Sequence, residues 1–189
     1  MYNIVNRYVY LRIRSRPCGA AGVDAKKPVQ PGIFWEELSM SNQTAVITAV
    51  CISEKKGEQK HPVESVHLQP EYGIVGDAHA GNWHRQVSLL SKGSVDSLQE
   101  KISIPLFPGA FAENILCDGI DVFKLPVGTK LRVGTALCEV TQIGKECHED
   151  CAIRRQAGDC VMPREGIFVV VLEEGDAKAG DLVSVVENP

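Results

Sequence analysis

The residue with the strongest case for chemistry is Cys147, which follows Gly144 and Lys145 at the end of a strand-like stretch and adjoins His148. A thiolate forms most readily beside a cation or at a helix N-terminus, and it is the form of cysteine that attacks electrophiles and binds metals. The composition of residues 148–158 permits a helix, which would place Cys147 at or near its N-terminus. Cys147 is therefore predicted to act as a nucleophile or a metal ligand, with His148 as its catalytic neighbour.

Two other interpretations of the neighbouring cysteines stay open. A zinc site is disfavoured, because C-H-x-x-C followed by Cys160 matches no usual pair of zinc-binding motifs. Packing in a seam between a helix and a sheet suits Cys151 better than Cys147. Cys160 is a candidate either for a resolving thiol or for a thiol that supports the site from behind its contacting residues. Arg154 and Arg164 add positive charge suited to an anionic ligand.

A second group of polar residues lies in the stretch 73–91. Four of them fall within nine residues: Asp77, His79, His84 and Arg85. The glycines among them permit positive φ and close approach of a ligand to backbone N–H groups. Arg85 is predicted to bind a phosphate or oxyanion, and Asp77 and His79 to orient each other or a bound group. The alternative is a polar surface loop whose side chains satisfy local backbone groups.

A third group, P-G-A-F-A-E-N-I at 108–115, places Phe111 beside Glu113 and Asn114 at the mouth of a predicted strand. These two polar side chains would supply hydrogen bonds to a ligand. The alternative is a turn anchored by Asn114, a residue type that tolerates the left-handed conformation.

The elements that must position these groups are mainly strands. Runs with β-branched or alternating apolar residues predict strands at 44–53, 63–69, 86–91, 113–119, 129–134 and 136–143. The closing runs GIFVVVLEEG and AGDLVSVVE predict a terminal hairpin, and residues 93–101 a helix with Ser94 as N-cap. Short strands without βαβ alternation indicate a mainly β fold, either a closed barrel or a sandwich.

The first 39 residues differ from the rest. They carry four arginines before the first acidic residue and run into a Gly- and Pro-containing stretch, and the sequence MSNQTAVITAV then resembles a fresh N-terminus at Met40. We expect residues 1–39 to be an N-terminal extension, disordered or non-native, and residues 40–189 to be the functional domain. A transit peptide is disfavoured by the β-branched and aromatic content.

Composition limits the classes of function. A net charge of −4 with 6% aromatic residues gives neither the basic surface nor the stacking platforms typical of nucleic-acid binding. No apolar run approaches the roughly 20 residues that span a bilayer. Arginines interrupt any signal-peptide core, and seven cysteines are an odd set, so we expect reduced thiols in a soluble, cytoplasmic protein. Cys138, within ALCEV, is expected to be a small buried hydrophobe.

Taken in order, the three groups resemble the MOSC domain, a family named for the C-terminal domain of molybdenum cofactor sulfurases. The pattern is G-D-x-H at 76–79, G-x-F-x-E-N-I at 109–115, E-V-T-Q-x-G-x-x-C at 139–147 and a closing G-I-F…G-D pair. The resemblance covers about residues 44–187 and is strongest to short freestanding bacterial members.

The resemblance implies a β-barrel with a few short helices and a pocket for molybdenum cofactor (molybdopterin). It implies that Cys147 is the sulfur carrier or the molybdenum ligand. The other motif positions are matched by Asp77, His79, Glu113 and Asn114. We add three arginines as candidates for the cofactor's phosphate: Arg85, Arg154 and Arg164.

Three functions are compatible with this resemblance. The first is sulfur transfer in molybdenum cofactor handling through Cys147, with cofactor-biosynthesis proteins or a cysteine desulfurase as partners. The second is a molybdenum-dependent reductase of N-hydroxylated substrates, and the third a non-catalytic partner module. The pyridoxal-phosphate domain of full sulfurases does not fit within 189 residues, so a pyridoxal phosphate label would be inherited from that larger architecture.

Overall fold

The computed structural model describes residues 43–146 and 159–189, which form strands joined by short helices. The strands are β1 Thr44–Ile52, β2 His61–Val63, β3 Ser65–Gln69, β4 Gly73–Ile74, β5 Val87–Ser91, β6 Ile115–Asp118, β7 Lys130–Val133, β8 Ala136–Ile143, β9 Ile167–Glu173, β10 Gly175–Lys178 and β11 Leu182–Glu187. The helices are α1 Lys92–Gln99, α2 Met162–Glu165 and a 3-10 turn at Val122–Lys124.

Seven of these strands close into a barrel. Their order is β11-β7-β8-β9-β5-β6-β1, and β1 pairs with β11 to complete the ring. All neighbours are antiparallel except β5 and β6, which are parallel; α1 lies in the connection between them. Closure removes the free edges that an open sheet would expose. The predicted mainly β class is confirmed, and the barrel is the correct one of its two alternatives.

The barrel interior follows from alternation along each strand. In β8, Ala136, Cys138 and Val140 point inward and are fully buried, while the residues between them are partly exposed. Successive side chains of a strand point to opposite faces, so a run such as ALCEV supplies every second residue to the core. The expected burial of Cys138 is confirmed.

A second apolar cluster covers the outside of one wall of the barrel. All five residues of β5 are buried, because their inner face meets the barrel core and their outer face is covered. Phe111, Leu116, Met162 and Phe168 belong to this outer cluster, together with the buried face of α1.

Two predictions about elements are wrong. The closing strands do not form a terminal hairpin: β9 pairs with β8 and β5, and β11 pairs with β7 and β1. The intervening β10 instead joins β3 and β4 in a separate three-stranded sheet. The reason is barrel closure, which requires the last strand to pair with the first rather than with its neighbour in sequence.

The second wrong prediction is the helix cap. Helix α1 begins at Lys92, so Ser94 lies inside it, and its hydroxyl is buried without a hydrogen-bond partner among the described residues. Ser91 takes the N-cap position, but its hydroxyl contacts the 3-10 turn, donating to Ile120 O and accepting from Val122 N at 2.9 Å each.

Several expectations fall on residues that the structure does not describe. These are the extension 1–39, the helix predicted at 148–158, and the positions of Cys147, His148, Cys151 and Arg154. Neither helix of the described part has the length and apolar character needed to cross a membrane.

Candidate functional site

Contacts across the barrel wall built by β8, β9, β5, β6 and β1 link residues of the predicted polar groups. Phe168 of β9 pairs in register with Gln142 of β8 on one side and Ser88 of β5 on the other. Ser88 bonds Asn114, which bonds the backbone of Cys51. One row of residues across five neighbouring strands therefore links the end of β8 to the end of β1.

Asp77 lies in a buried ion pair with Lys60, a residue that sequence reasoning missed. The two side chains are each 2% exposed. The Asp77 Oδ2 atom accepts hydrogen bonds from Lys60 Nζ and from Ser53 N, the latter at 3.1 Å, and Oδ1 accepts from His79 N at 2.9 Å. The carboxylate is fully engaged by its own protein, so it orients the loop rather than facing a ligand.

Burial and pairing act on these two groups in opposite directions. Burial alone would raise the pKa of Asp77, but hydrogen bonds from His79 and Lys60 and the charge of Lys60 hold it well below its usual range. Burial lowers the pKa of Lys60, and its contacts with Asp77 offset this only in part. Breaking such a pair leaves an uncompensated buried charge, which typically costs about 3–5 kcal/mol.

Lys60 had no distinguishing signal in the sequence. It sits in the polar run EKKGEQKHP beside exposed lysines, and its partner is 17 residues away. Only the fold separates it from its neighbours.

His79 sits at the edge of this pair and is about one third exposed. Its Nδ1 lies 3.4 Å from Lys60 Nζ and 3.5 Å from Asp77 Oδ1. No described residue forms a hydrogen bond with Nε2, the other ring nitrogen. The prediction that Asp77 and His79 lie together agrees with this geometry, and His79 is the member with access to a ligand.

Glu113 holds the 108–113 loop from within. Its side chain is 1% exposed, and its carboxylate accepts hydrogen bonds from Gly109 N at 2.6 Å and Phe111 N at 3.0 Å. Burial raises the pKa of Glu113 to about 7, although the two backbone donors and the charge of Lys60 act against the rise. This carboxyl group faces the protein rather than solvent.

The loop lies directly against the backbone of Lys60. Lys60 N donates to Gly109 O at 3.0 Å, and a Cβ added at Gly109, whose φ is +90°, would lie 2.2 Å from Lys60 O. Only glycine fits there. The left-handed conformation that the alternative allowed at Asn114 occurs instead at Ala112, with φ 61°.

Asn114 joins three barrel strands. Its Oδ1 accepts from Ser88 N at 3.1 Å and Ser88 Oγ at 3.0 Å, and its Nδ2 donates to Cys51 O at 3.1 Å. With its oxygen occupied twice, one amide hydrogen is left for other partners. The side chain therefore links strands, and its predicted role toward a ligand stays a prediction.

Arg85 is held between two aromatic rings. Its guanidinium carbon lies 4.7 Å from the centre of the Trp83 ring and 5.6 Å from that of Phe168. Its Nε is buried and has no hydrogen-bond partner among the described residues. A planar cation fixed in this way is suited to bind an anion at its remaining N–H groups.

The Arg85 loop is attached to the end of β8. His84 Nε2 lies 3.0 Å from Gln142 Oε1, and the Thr141 hydroxyl donates to His84 O. Cys147 follows Gln142 by five residues. The loop that contains Arg85 is therefore bonded to the strand that precedes the predicted reactive cysteine.

Arg164 lies beyond the undescribed interval and already has a partner. It forms a two-pronged ion pair with Asp159, with N–O distances of 3.2 and 2.9 Å. Both side chains are about half exposed, so a ligand phosphate would have to compete with Asp159 for this guanidinium.

The four thiols of the described residues are buried. Burial raises the pKa of Cys51, Cys117 and Cys138 to about 12, which disfavours their thiolate forms, and Cys160 lies in the outer cluster. Within residues 43–146 and 159–189, no group of three or more His, Cys, Asp or Glu is arranged to hold a metal ion.

The barrel and this set of motif residues define the class of protein: the chain belongs to the MOSC domain family. The family profile for the MOSC domain matches residues 76–184, from the start of the Asp77 loop to β11, and the predicted resemblance is confirmed. The family is generally linked to molybdenum cofactor-related function. Lys60 and Cys51 lie outside the matched residues.

Solved structures share the fold. The YuaD protein from Bacillus subtilis is 18% identical with a TM-score of 0.63, over 76% of this chain and 96% of that one. YiiM from Geobacillus stearothermophilus is 21% identical with a TM-score of 0.60, over 76% and 75%. YiiM from Escherichia coli is 18% identical with a TM-score of 0.55, over 79% and 71%. A comparison with curated proteins found no significant match.

The residues present fit the anionic part of molybdenum cofactor. The fit rests on Arg85, whose buried Nε lacks a partner in the described part of the chain and whose guanidinium is fixed by two rings. His79, about one third exposed, adds the ring nitrogen Nε2, which has no hydrogen-bond partner among the described residues. A phosphate group needs such donors, and a fixed guanidinium supplies them with little loss of side-chain entropy.

Proposed function

We propose that this protein binds molybdenum cofactor, or a molybdenum-containing precursor, and uses Cys147 as its sulfur carrier or molybdenum ligand. The observation that carries the proposal is the attachment of the Arg85 loop to the end of β8. The guanidinium of that loop packs against Phe168 of β9, the strand paired with the one that precedes Cys147 in the sequence. When bound, the cofactor would supply a metal able to transfer oxygen or sulfur and electrons.

The residues of the chain have separate roles in this proposal. Arg85 binds the cofactor phosphate, with Arg154 and Arg164 as further cations, and His79 donates or accepts a hydrogen bond at the ligand. Glu113 and Asn114 act one step away by holding the loop and the strands that carry the site. Asp77 fixes the position of His79.

In the sulfur-carrier role, the Cys147 thiolate attacks the outer sulfur of a persulfide on a donor such as a cysteine desulfurase. The S–S bond of the donor breaks, the donor cysteine leaves as a thiolate, and Cys147 now carries the persulfide, with no net oxidation or reduction. His148, the next residue in the sequence, is proposed to take up the thiol proton. The donor, cofactor-synthesis partners and a cytoplasmic location belong to the proposal.

The first test is cofactor loading in a host that makes molybdenum cofactor. Wild type, Cys147→Ser and the matched control Cys151→Ser would be purified, and molybdenum and pterin measured per mole of protein. We expect loading of wild type and Cys151→Ser, and loss of most of the molybdenum from Cys147→Ser. Equal loading of all three proteins, or none in wild type, would overturn the role of Cys147 as ligand.

The sulfur-carrier role has its own readout. Protein purified without reductant after incubation with a desulfurase and cysteine should gain roughly the mass of one sulfur. Digestion should place that sulfur on Cys147, and reductant should remove it. Persulfide on other cysteines only would contradict this role.

A further inference from the structure

Lys60 is a buried cation that contacts His79 and is almost completely shielded from solvent. Its side chain is 2% exposed and its Nζ is bonded to Asp77. Its electrostatic neighbours are Asp77, Cys51 and Glu113. Since it cannot reach a ligand itself, any effect on the site must pass through the groups that it contacts.

The contact that reaches the surface is the one with His79. Lys60 Nζ lies 3.4 Å from His79 Nδ1 in hydrogen-bonding geometry. An ammonium group only donates, so this bond requires a lone pair on Nδ1. A hydrogen on Nδ1 could not be donated to the ammonium group and would have to go to another acceptor.

Asp77 is the competing neighbour, with Oδ1 at 3.5 Å from the same ring nitrogen. That oxygen already accepts from His79 N at 2.9 Å, and the other carboxylate oxygen is bonded to Lys60 and Ser53 N. Of these two contacts of Nδ1, the one with Lys60 is the one that meets hydrogen-bond geometry, and we take it as the bond that sets the tautomer. The proton of the ring then lies on Nε2, the atom that no described residue engages.

We propose that Lys60 is a positioning residue that holds His79 as the Nε2–H tautomer and so presents one hydrogen-bond donor to an oxyanion at the site. The tautomer stands on the contacts of Lys60 and Asp77 alone. The oxyanion role rests on the proposed function, where Arg85 and His79 bind the anionic ligand together.

The tautomer can be measured directly by two-bond ¹H–¹⁵N correlation spectra of the histidine rings. The chain has five histidines, and His79→Gln identifies the signal of His79. We expect the Nε2–H pattern for His79 in wild type. An Nδ1–H pattern in wild type would overturn the proposal, and this arm requires no substitution at Lys60.

Substitution tests the cause. Lys60→Met removes the donor and leaves Nδ1 facing only Asp77, so the signal should move toward a protonated Nδ1, whereas Lys60→Arg keeps a cationic donor and should retain the wild-type pattern. If Lys60→Met does not fold, Lys60→Gln replaces it, since its amide still donates to Asp77. An unchanged His79 pattern in the folded variant would overturn the positioning role.

His67 is the internal control. Its Nδ1 lies 2.9 Å from Asp176 Oδ1 on the surface, so it is a histidine–aspartate pair remote from the Lys60 contact. Its signals should be the same in wild type and in every Lys60 variant. A common shift of both histidines would mean a general structural change and would overturn the local explanation.

The oxyanion role is tested with sodium molybdate as the probe. The Nε2–H signal of His79, and not that of His67, should shift on titration. The apparent affinity of Lys60→Met should be about tenfold or more below that of Lys60→Arg, the loss expected for one hydrogen bond to a charged group. No response of His79 would overturn the oxyanion role.

This outcome is distinct from failure of the proposed function. Normal molybdenum loading of Cys147→Ser together with the Nε2–H tautomer would reject the role of Cys147 and retain that of Lys60.

Discussion

At the scale of single residues, Glu113 is a buried carboxyl group whose pKa is moved into the neutral range by folding. Its ordinary pKa of 4.5 rises to about 7 because burial disfavours the charge. The folded protein therefore binds the proton more tightly than the unfolded chain. The contribution of this protonated carboxyl group to the free energy of unfolding is fully present below pH 4.5, and it is lost as the pH rises through about 7.

Replacement of Glu113 by Gln should remove this pH dependence. Between pH 5 and pH 8 we expect wild type to lose about 2–3 kcal/mol of stability relative to Glu113→Gln, from the change in proton binding. Urea denaturation of both proteins at several pH values measures the difference. Glu64→Gln, at an exposed position, is the control and should track wild type. Parallel curves for wild type and Glu113→Gln would show that the carboxyl group is not perturbed as described.

At the scale of elements, Asn114 is the connection among β1, β5 and β6. Its side chain satisfies the buried backbone N–H of Ser88 and the buried carbonyl of Cys51. The three strands meet here at the parallel β5–β6 pair, where α1 takes the chain out of the sheet. The side-chain hydrogen bonds of Asn114 thus hold the ends of these three strands together.

Asn114→Ala should destabilise the protein by about 2–4 kcal/mol, because a buried donor and a buried acceptor lose their partners. Asn114→Asp should also destabilise it, since a carboxylate oxygen would face the Cys51 carbonyl that now accepts a hydrogen bond. The control is Asn82→Ala in an exposed loop position, and chemical denaturation is the measurement. Stability of Asn114→Ala equal to that of Asn82→Ala would contradict the strand-linking role.

At the scale of the whole molecule, the closed ring has one interior core. Residues near both chain ends of the described domain, such as Ala45 of β1 and Val183 of β11, pair in register across the seam. The same core contains Leu131 of β7 and Val169 of β9. A loss of packing at one point should therefore lower the stability of every strand of the ring.

Leu131→Ala should cost about 2–5 kcal/mol as a buried truncation. Leu182→Ala makes the same chemical change at a side chain that is 53% exposed, and its cost should stay within about 0.5 kcal/mol. Hydrogen exchange followed by mass spectrometry should show reduced protection in all seven barrel strands of Leu131→Ala. Reduced protection confined to β7 and its two neighbours would mean that the barrel does not unfold as one unit.

The sequence alone determined the features that depend on local pattern. Alternation and β-branched content located β8 at residues 136–143 as it stands in the structure, and placed β1 and β5 within one residue of their ends. The inward position of Cys138 followed from the same period of two. The order of the polar motifs was sufficient to indicate the MOSC family, which the family comparison confirmed.

Only the tertiary structure decided which residues are partners. The bond between Lys60 and Asp77 spans 17 residues, those from Asn114 to Ser88 and Cys51 span 26 and 63, and the bond from Val171 N to Gln86 Oε1 spans 85. A local pattern predicts which face of a strand a side chain occupies. It does not predict which residues, distant in the sequence, pack against that face when the barrel closes. For this reason the sequence predicted Glu113 and Asn114 as ligand contacts, whereas in the structure both side chains are buried and bonded within the protein. Lys60 lies in an ordinary polar turn of the sequence, and only the fold shows that it contacts His79.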